Sequence, residues 1–192
     1  MVYILARFVC RIVLAVLRRW EIHGLSNLPA EGGLVLVSNH TSYWDPVIVG
    51  CAINRRINYM AKSELFDIPL LSTFIRAVGT FPVRRDQLDR TAIRTAMKLL
   101  EEGQIVGVFP EGTRSRTGEL LKPHPGAAML ALKAGVPFLP VAIKGSRGFF
   151  GKVRVNIGKP VFYKTDAKTS RADMEKVSNS IMDQIAELLD KL

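Results

Sequence analysis

The chain has 192 residues, enough for one domain with a substantial core and short for two, and its mean hydropathy of +0.16 with 48% hydrophobic residues is rich for a freely soluble protein. Lys and Arg number 27 against 17 acids, a net charge of +10, which suits an anionic partner (nucleic acid, an anionic membrane surface or a phosphorylated substrate) although it also serves solubility alone. Two cysteines, Cys10 and Cys51, both inside apolar runs, exclude a disulfide framework and point to a reducing compartment; zinc-ligand spacings, a Walker loop, repeats and low-complexity tracts are absent.

Residues 1–20, MVYILARFVCRIVLAVLRRW, make the first predicted helix. Arg7, Arg11 and Arg18 fall at spacings of four and seven, on one stripe in otherwise apolar surroundings, with Trp20 at the end. Twenty helical residues reach about 30 Å, enough to span a bilayer. Arg7 and Arg11 would then sit in hydrocarbon at about 2.5–3.5 kcal/mol each. A helix lying in the interface plane, arginines toward lipid phosphates, avoids that penalty. A cleaved signal peptide fits poorly because arginines interrupt the apolar stretch; a core-packed helix with three solvated arginines is the other reading. The expected organisation is a membrane-associating helix over 1–20 and a single domain over 21–192.

A short strand is expected in RWEIHG, and GLVLVSN (33–39) is a β-branched apolar run that reads as a buried strand. Asp45-Pro46 looks like a helix start, Asp as N-cap and Pro at the first helical position, followed by VIVGCAI. INYMA reads as a strand, PLLSTFIRA as a short helix and VGTFPV (78–83) as a strand. Residues 87–102 carry Leu88, Ala92, Ile93, Ala96, Leu99 and Leu100 at helical period, and Gly103 stops the helix. QIVGVFP is the next buried strand, HPGAAMLALKAG a helix, PFLPVAI and KVRVNIG strands, and Arg171–Leu192 an amphipathic helix. Buried strands alternating with helices predict an α/β domain, a mostly parallel or mixed sheet flanked by helices. The two proline-containing strands are expected at its edges.

The stretch SNHTSYWDP (38–46) holds one of three histidines and an aspartate five residues later. On a helix those two would lie about 140° apart. With His40 just past a strand end and Asp45 opening the next helix, the intervening loop can fold back and bring them together. That is also where α/β sheets place ligands. Asp45 on one imidazole nitrogen leaves the other as a base toward a hydroxyl. The other reading has Asp45 only capping its helix and His40 filling a polar gap. VFPEGTRS (108–115) places Glu111, Gly112, Thr113 and Arg114 on a second strand-end loop, and GTFPVRR ends a third strand in Arg84 and Arg85. Glycine admits close backbone approach, threonine can donate, and arginine reads phosphate bidentately. Three parallel strands would aim these groups at one edge: a base beside an anion clamp, suited to transfer onto the hydroxyl of a phosphate-bearing acceptor.

The order N-H-x-x-x-x-D, G-x-F-P-V-x-R, F-P-E-G-T-R-S, V-P-F-L-P-V resembles the glycerolipid acyltransferases, most of all those acting on 1-acylglycerol 3-phosphate; the resemblance runs from about Trp20 to Lys159. It implies His40 and Asp45 as the catalytic pair. It implies acceptor binding by Glu111, Gly112, Thr113 and Arg114, with phosphate held by Arg84 or Arg85. It implies donor or structural contacts along Val136–Val141, and Lys62 near the site. The reaction implied moves a fatty acyl group from acyl-CoA or acyl carrier protein to lysophosphatidic acid, making phosphatidic acid for phospholipid biosynthesis, with no metal and no cofactor beyond the thioester co-substrate. Glycerol 3-phosphate or another lysophospholipid is the alternative acceptor. Localisation at the cell membrane is expected, peripheral or monotopic on the cytoplasmic face. A thioester hydrolase with the same pair is disfavoured by the missing G-x-S-x-G. A nucleic-acid binder is disfavoured by dispersed charge without interleaved aromatics, so no nucleic-acid partner is expected.

Overall fold

The computed structural model describes residues 2–84, 89–163 and 170–192. The strands are β1 (Glu21–His23), β2 (Leu34–Ser38), β3 (Ile57–Lys62), β4 (Phe81–Val83), β5 (Ile105–Val108), β6 (Phe138–Lys144) and β7 (Arg154–Ile157). The helices are α1 (Val2–Arg18), α2 (Asp45–Ala52), α3 (Pro69–Ala77), α4 (Arg90–Glu101), α5 (Gly126–Ala134) and α6 (Arg171–Asp190). All seven strands join one mixed sheet in the order β1-β7-β6-β2-β5-β3-β4. Strands β2 to β6 run parallel; β7 returns antiparallel to β6, and β1 is parallel to β7.

Alternation in β2 sets the layers. Leu34 and Leu36 face a core shared with Leu14 of α1 and Ile48, Val49 and Ala52 of α2. Val35 and Val37 face the other core, with Ala96 and Leu100 of α4, Leu130 of α5 and Ile181 and Ile185 of α6. A strand covered on both faces carries no polar side, which is why β2 reads as an unbroken apolar run. Helix ends follow local chemistry. Asp89 caps α4 by accepting from Thr91 and Ala92 N–H, so the helix starts at Arg90 rather than at residue 87, and the expected Leu88 lies outside the described residues. Ser170 and Asp173 close a capping box at α6.

Two sequence expectations need correction. Strand β4 is an edge, but β6, with Pro140, lies between β7 and β2. Its proline is tolerated because the neighbouring chain is irregular there. Val141 pairs with Ile157 and Phe138 bridges Val161, so three steps along β6 face four along the other chain. Pro140 falls inside that bulge, where its carbonyl accepts from Gly158 N–H at 2.8 Å.

The arginine stripe of α1 faces the protein, not lipid. Arg11 Nε donates to Cys51 O at 2.8 Å and its Nη2 to Asn54 Oδ1 at 3.1 Å, and Arg7 Nη1 donates to Ile53 O at 3.2 Å. These atoms lie at the C-terminal end of α2, where carbonyls lack helical partners and the helix dipole favours cations. Arg18 is buried and donates to Gly145 O at 2.5 Å, Gly148 O at 2.6 Å and Arg147 O at 3.3 Å. The opposite face of α1 is bare and apolar, with Ile4, Leu5, Phe8, Ile12 and Val16 exposed. Among the described residues, no helix is long and apolar enough to cross a membrane.

Candidate active site

The five-residue spacing is resolved by a turn wrapped around one carboxylate oxygen. Asp45 opens α2 as its first residue, with Trp44 as the N-cap, and is fully buried. Its Oδ2 accepts from Thr41 N–H at 2.6 Å, from Ser42 N–H at 2.7 Å and from His40 Nδ1 at 2.9 Å. Those donors and the α2 N-terminus together hold a negative charge without bulk water. With Nδ1–H given to Asp45, Nε2 of His40 is the nitrogen left to take a proton.

The imidazole is fixed on its other sides as well. It stacks on Phe109 with centroids 4.0 Å apart at 19°, and Phe109 in turn stacks on Tyr59 at 5.8 Å and 7°. Gly107 in β5 makes room for this column, since a Cβ there would stand 2.5 Å from the Tyr59 ring. The backbone is pinned by Glu111, whose Oε1 accepts from His40 N–H at 2.7 Å while its Oε2 accepts from Leu121 N–H at 2.9 Å. Burial pushes the Glu111 carboxyl up, against the opposing pull of those two N–H bonds. His40 O accepts from Ser115 N–H at 2.8 Å. Asn39 spans the β2–β6 gap, donating to Ile143 O at 2.9 Å and accepting from Ile143 N–H at 2.8 Å. Thr41 and Ser146 hydroxyls meet at 3.0 Å.

His40 faces a cavity of about 720 Å³, within the roughly 300–1,000 Å³ of typical ligand sites. Its walls are mostly apolar and come from α1 (Tyr3, Ala6, Cys10), α2 (Val47, Cys51), β3 and α3 (Leu71, Phe74, Ile75). Polar and charged side chains in the lining besides His40 include Arg7, Lys62, Thr80, Thr113 and Arg114. The Arg114 guanidinium rests 3.4 Å over the exposed Tyr43 ring, and Lys62 Nζ is 2.6 Å from Glu64 Oε1. That contact with Lys62 lowers the Glu64 carboxyl to about 2.

The strand-end expectation therefore holds in placement for His40, Asp45, Thr113 and Arg114, and Lys62, implied by the resemblance alone, ends β3 in the same cavity lining. Glu111 is 2% exposed, spends both oxygens on backbone N–H groups and so positions His40, outside the cavity wall. Gly112 lies beside His124, in the left-handed turn that follows Phe109, outside the cavity wall. Arg84 is exposed at the end of β4, three strand spacings or about 14 Å from β2, and its backbone N–H bonds Asp89; it too lies outside the cavity wall. Arg85 falls outside the described residues. Sequence reasoning missed Asn39, Phe109 and Tyr59 as the frame of the histidine. Gly107, a glycine inside a buried strand, was the available signal for the Tyr59 contact.

An aspartate-held histidine at the carboxyl ends of parallel strands, opening onto a mostly apolar cavity with cations in its lining, suits moving a group onto or off an amphiphile. The chain belongs to the acyltransferase family, whose model matches residues 19–144. It is 32% identical to a 1-acyl-sn-glycerol-3-phosphate acyltransferase of Bacillus subtilis (strain 168), over 95% of this chain and 96% of that protein. It is 33% identical to the chloroplastic 1-acyl-sn-glycerol-3-phosphate acyltransferase LPAT1 of Arabidopsis thaliana, over 88% of this chain and 49% of that one. The crystal structure of the 1-acyl-sn-glycerophosphate (LPA) acyltransferase PlsC from Thermotoga maritima superposes with a TM-score of 0.78 at 29% identity, covering 95% of this chain and 78% of that one.

Proposed function

We propose that the protein transfers a fatty acyl group from a thioester donor, acyl-CoA or acyl carrier protein, to the free hydroxyl of 1-acylglycerol 3-phosphate, making phosphatidic acid. The observation that carries this is the meeting of three parts: the His40–Asp45 pair, a mostly apolar cavity of about 720 Å³, and the Arg114 and Lys62 cations in its lining. His40 Nε2 takes the hydroxyl proton as that oxygen attacks the thioester carbonyl. Asp45 stabilises the imidazolium that forms. Collapse of the tetrahedral intermediate breaks the C–S bond, and the leaving thiolate takes the proton back from Nε2. No enzyme ester is needed. Cys51 lines the cavity, but burial pushes its thiol up to about 12, so it is protonated at neutral pH and a weak nucleophile. Arg114 is suited to the acceptor phosphate, with Lys62 reachable once it leaves Glu64; Arg7, also in the lining, bonds Ile53 O.

The same reading places the protein at a membrane, on its cytoplasmic face, with α1 in the interface. Its outward face carries the apolar side chains named above. α3, which shares the cavity wall with α1, exposes Leu70 at 88% and Phe74 at 51%. The acyl cavity thus adjoins two surfaces that expose apolar side chains. Incubating purified protein with each thioester and, separately, lysophosphatidic acid, glycerol 3-phosphate and lysophosphatidylcholine, then analysing products by mass spectrometry, tests the assignment. Phosphatidic acid should dominate; acylation of glycerol 3-phosphate alone, or free fatty acid as the sole product, would overturn it.

A further inference from the structure

The loop from β6 to β7, KGSRGFFGK (144–152), carries three cations, no acid and two adjacent phenylalanines. Phe149 is 72% exposed and Phe150 76% exposed. Two neighbouring phenylalanines left in water forfeit the stabilisation that burial gives, so the patch calls for an occupant. The rest of the loop is built rather than loose. Gly145 and Gly148 adopt positive φ, and a Cβ on Gly145 would collide with Lys152 O. The buried Arg18 guanidinium, at the last turn of α1, threads in among the carbonyls of Gly145, Arg147 and Gly148. Burial lowers the guanidinium's pKa; the carbonyls take Nη1 and Nη2, while the buried Nε has no hydrogen-bond partner. Arg147 Nη2 donates to Ser115 O at 2.6 Å, Ser146 meets Thr41, and the Phe149 ring stands edge-on to Trp44 at 6.4 Å. The polar side of the loop is thus fastened to the two catalytic loops and to α1, while Phe149, beside Trp44, and Phe150 stay largely exposed.

We propose that this tip is a second membrane-insertion element: Phe149 and Phe150 enter the acyl–headgroup boundary while the exposed Lys144 meets anionic headgroups, Arg147 staying on Ser115 O and Lys152 on Glu21 Oε1 at 2.6 Å. A bilayer is the occupant that fits. Aromatic side chains flanked by cations suit the interface of an anionic membrane. The patch also continues the exposed apolar face of α1, whose last turn leaves Val16 and Leu17 bare beside Arg18. The loop and α1 would then grip the surface on either side of the β2 edge. Arg18 would fix their mutual geometry, and the contacts through Thr41 and Trp44 would seat the base at a set depth. The proposal extends the interfacial reading of α1 and can fail without it.

Two reporters separate the cases. Phe150→Trp and, in a second protein, Phe8→Trp on α1 are mixed with phosphatidylcholine–phosphatidylglycerol vesicles carrying brominated acyl chains, with the parent's Trp20 and Trp44 as background. Both added tryptophans should shift to the blue and be quenched well above the parent. The double change Phe149→Ser/Phe150→Ser, which leaves the carbonyls facing Arg18 in place, should weaken vesicle binding by about tenfold or more. Activity on bilayer substrate should fall in parallel, with activity on detergent-dispersed substrate staying within about twofold. Quenching at residue 8 without quenching at residue 150, and vesicle binding unchanged in the double variant, would overturn the loop's role and leave α1 in the interface. No quenching at either position would overturn both. A concentration-dependent dimer in lipid-free buffer, abolished by the double change, would give the patch to a second copy of the chain instead.

Discussion

The loop around His40 and the helix α1 both take charge out of water, and they do so over very different lengths of chain. Asp45 is held by donors no more than five residues away. Arg18 is held by carbonyls 127 to 130 residues away, and Arg7 and Arg11 by atoms 40 to 46 residues away. The first arrangement forms once a single loop closes on a helix N-terminus. The second exists only when the sheet, α2 and the β6–β7 loop are all in place. Local geometry should therefore govern chemistry, and long-range geometry should govern stability and the seating of the site.

The sharpest way to break the comparison is to remove the base. His40→Ala should lower turnover by about 10²–10⁴ with little change in melting temperature, because only the part-buried imidazole is lost. Asp45→Asn should approach the same loss by misorienting the ring. Thiol release from the donor thioester reads turnover and calorimetry reads the fold.

Arg18→Ala attacks the other region. It strips charge-assisted bonds from three carbonyls, at about 1.5–3 kcal/mol per such interaction before compensation by water. The urea midpoint should fall clearly while turnover on dispersed substrate drops only severalfold. A variant of unchanged stability would show that α1 is not fastened through this residue.

Glu111 joins the two scales, and its effect is set by pH. Burial raises its folded pKa, so the native state keeps the proton at a pH where the unfolded chain has already lost it. Stability should decline as pH rises from the ordinary glutamate range through the raised value, then level off. In Glu111→Gln that decline should vanish. The amide nitrogen cannot accept from Leu121 N–H, so the variant should also lose about 1–3 kcal/mol at acid pH. Denaturant titrations at a series of pH values would show both.

The smallest effect belongs to Arg7→Gln. Its single bond to Ile53 O is long and partly solvated, so the loss should be about 0.5–1.5 kcal/mol. Binding to anionic vesicles should change little, because the guanidinium faces α2. A marked loss of vesicle binding would restore the lipid-facing orientation.

Legibility followed the same division. β-branched runs located β2, β5, β6 and β7, and apolar period located α4 and α6, because one face of each is decided by burial alone. His40 and Asp45 were readable as a pair because strand end, loop and helix start all lie within nine residues. Arg7, Arg11 and Arg18 were correctly placed on one stripe, yet spacing fixes who shares a face and not which way it turns. Apart from Asn54 Oδ1, the cations' partners were backbone carbonyls, which leave no mark in sequence. Glu111 was misread for a related reason: its acceptors serve N–H groups of His40 and Leu121, and only the fold shows those N–H groups pointing at it. Pro140 looked like an edge residue because the bulge opposite it comes from a chain about 20 residues downstream.

The central claim is that His40 activates the acceptor hydroxyl directly, with no acyl group stored on the protein. Its most direct test follows thiol release and intact protein mass after mixing wild type or His40→Ala with acyl thioester, with and without lysophosphatidic acid. Wild type should release thiol only when acceptor is present, in step with phosphatidic acid, and its mass should never increase; His40→Ala should release almost none. A burst of thiol without acceptor, matched by one added acyl mass on the protein, would contradict the account.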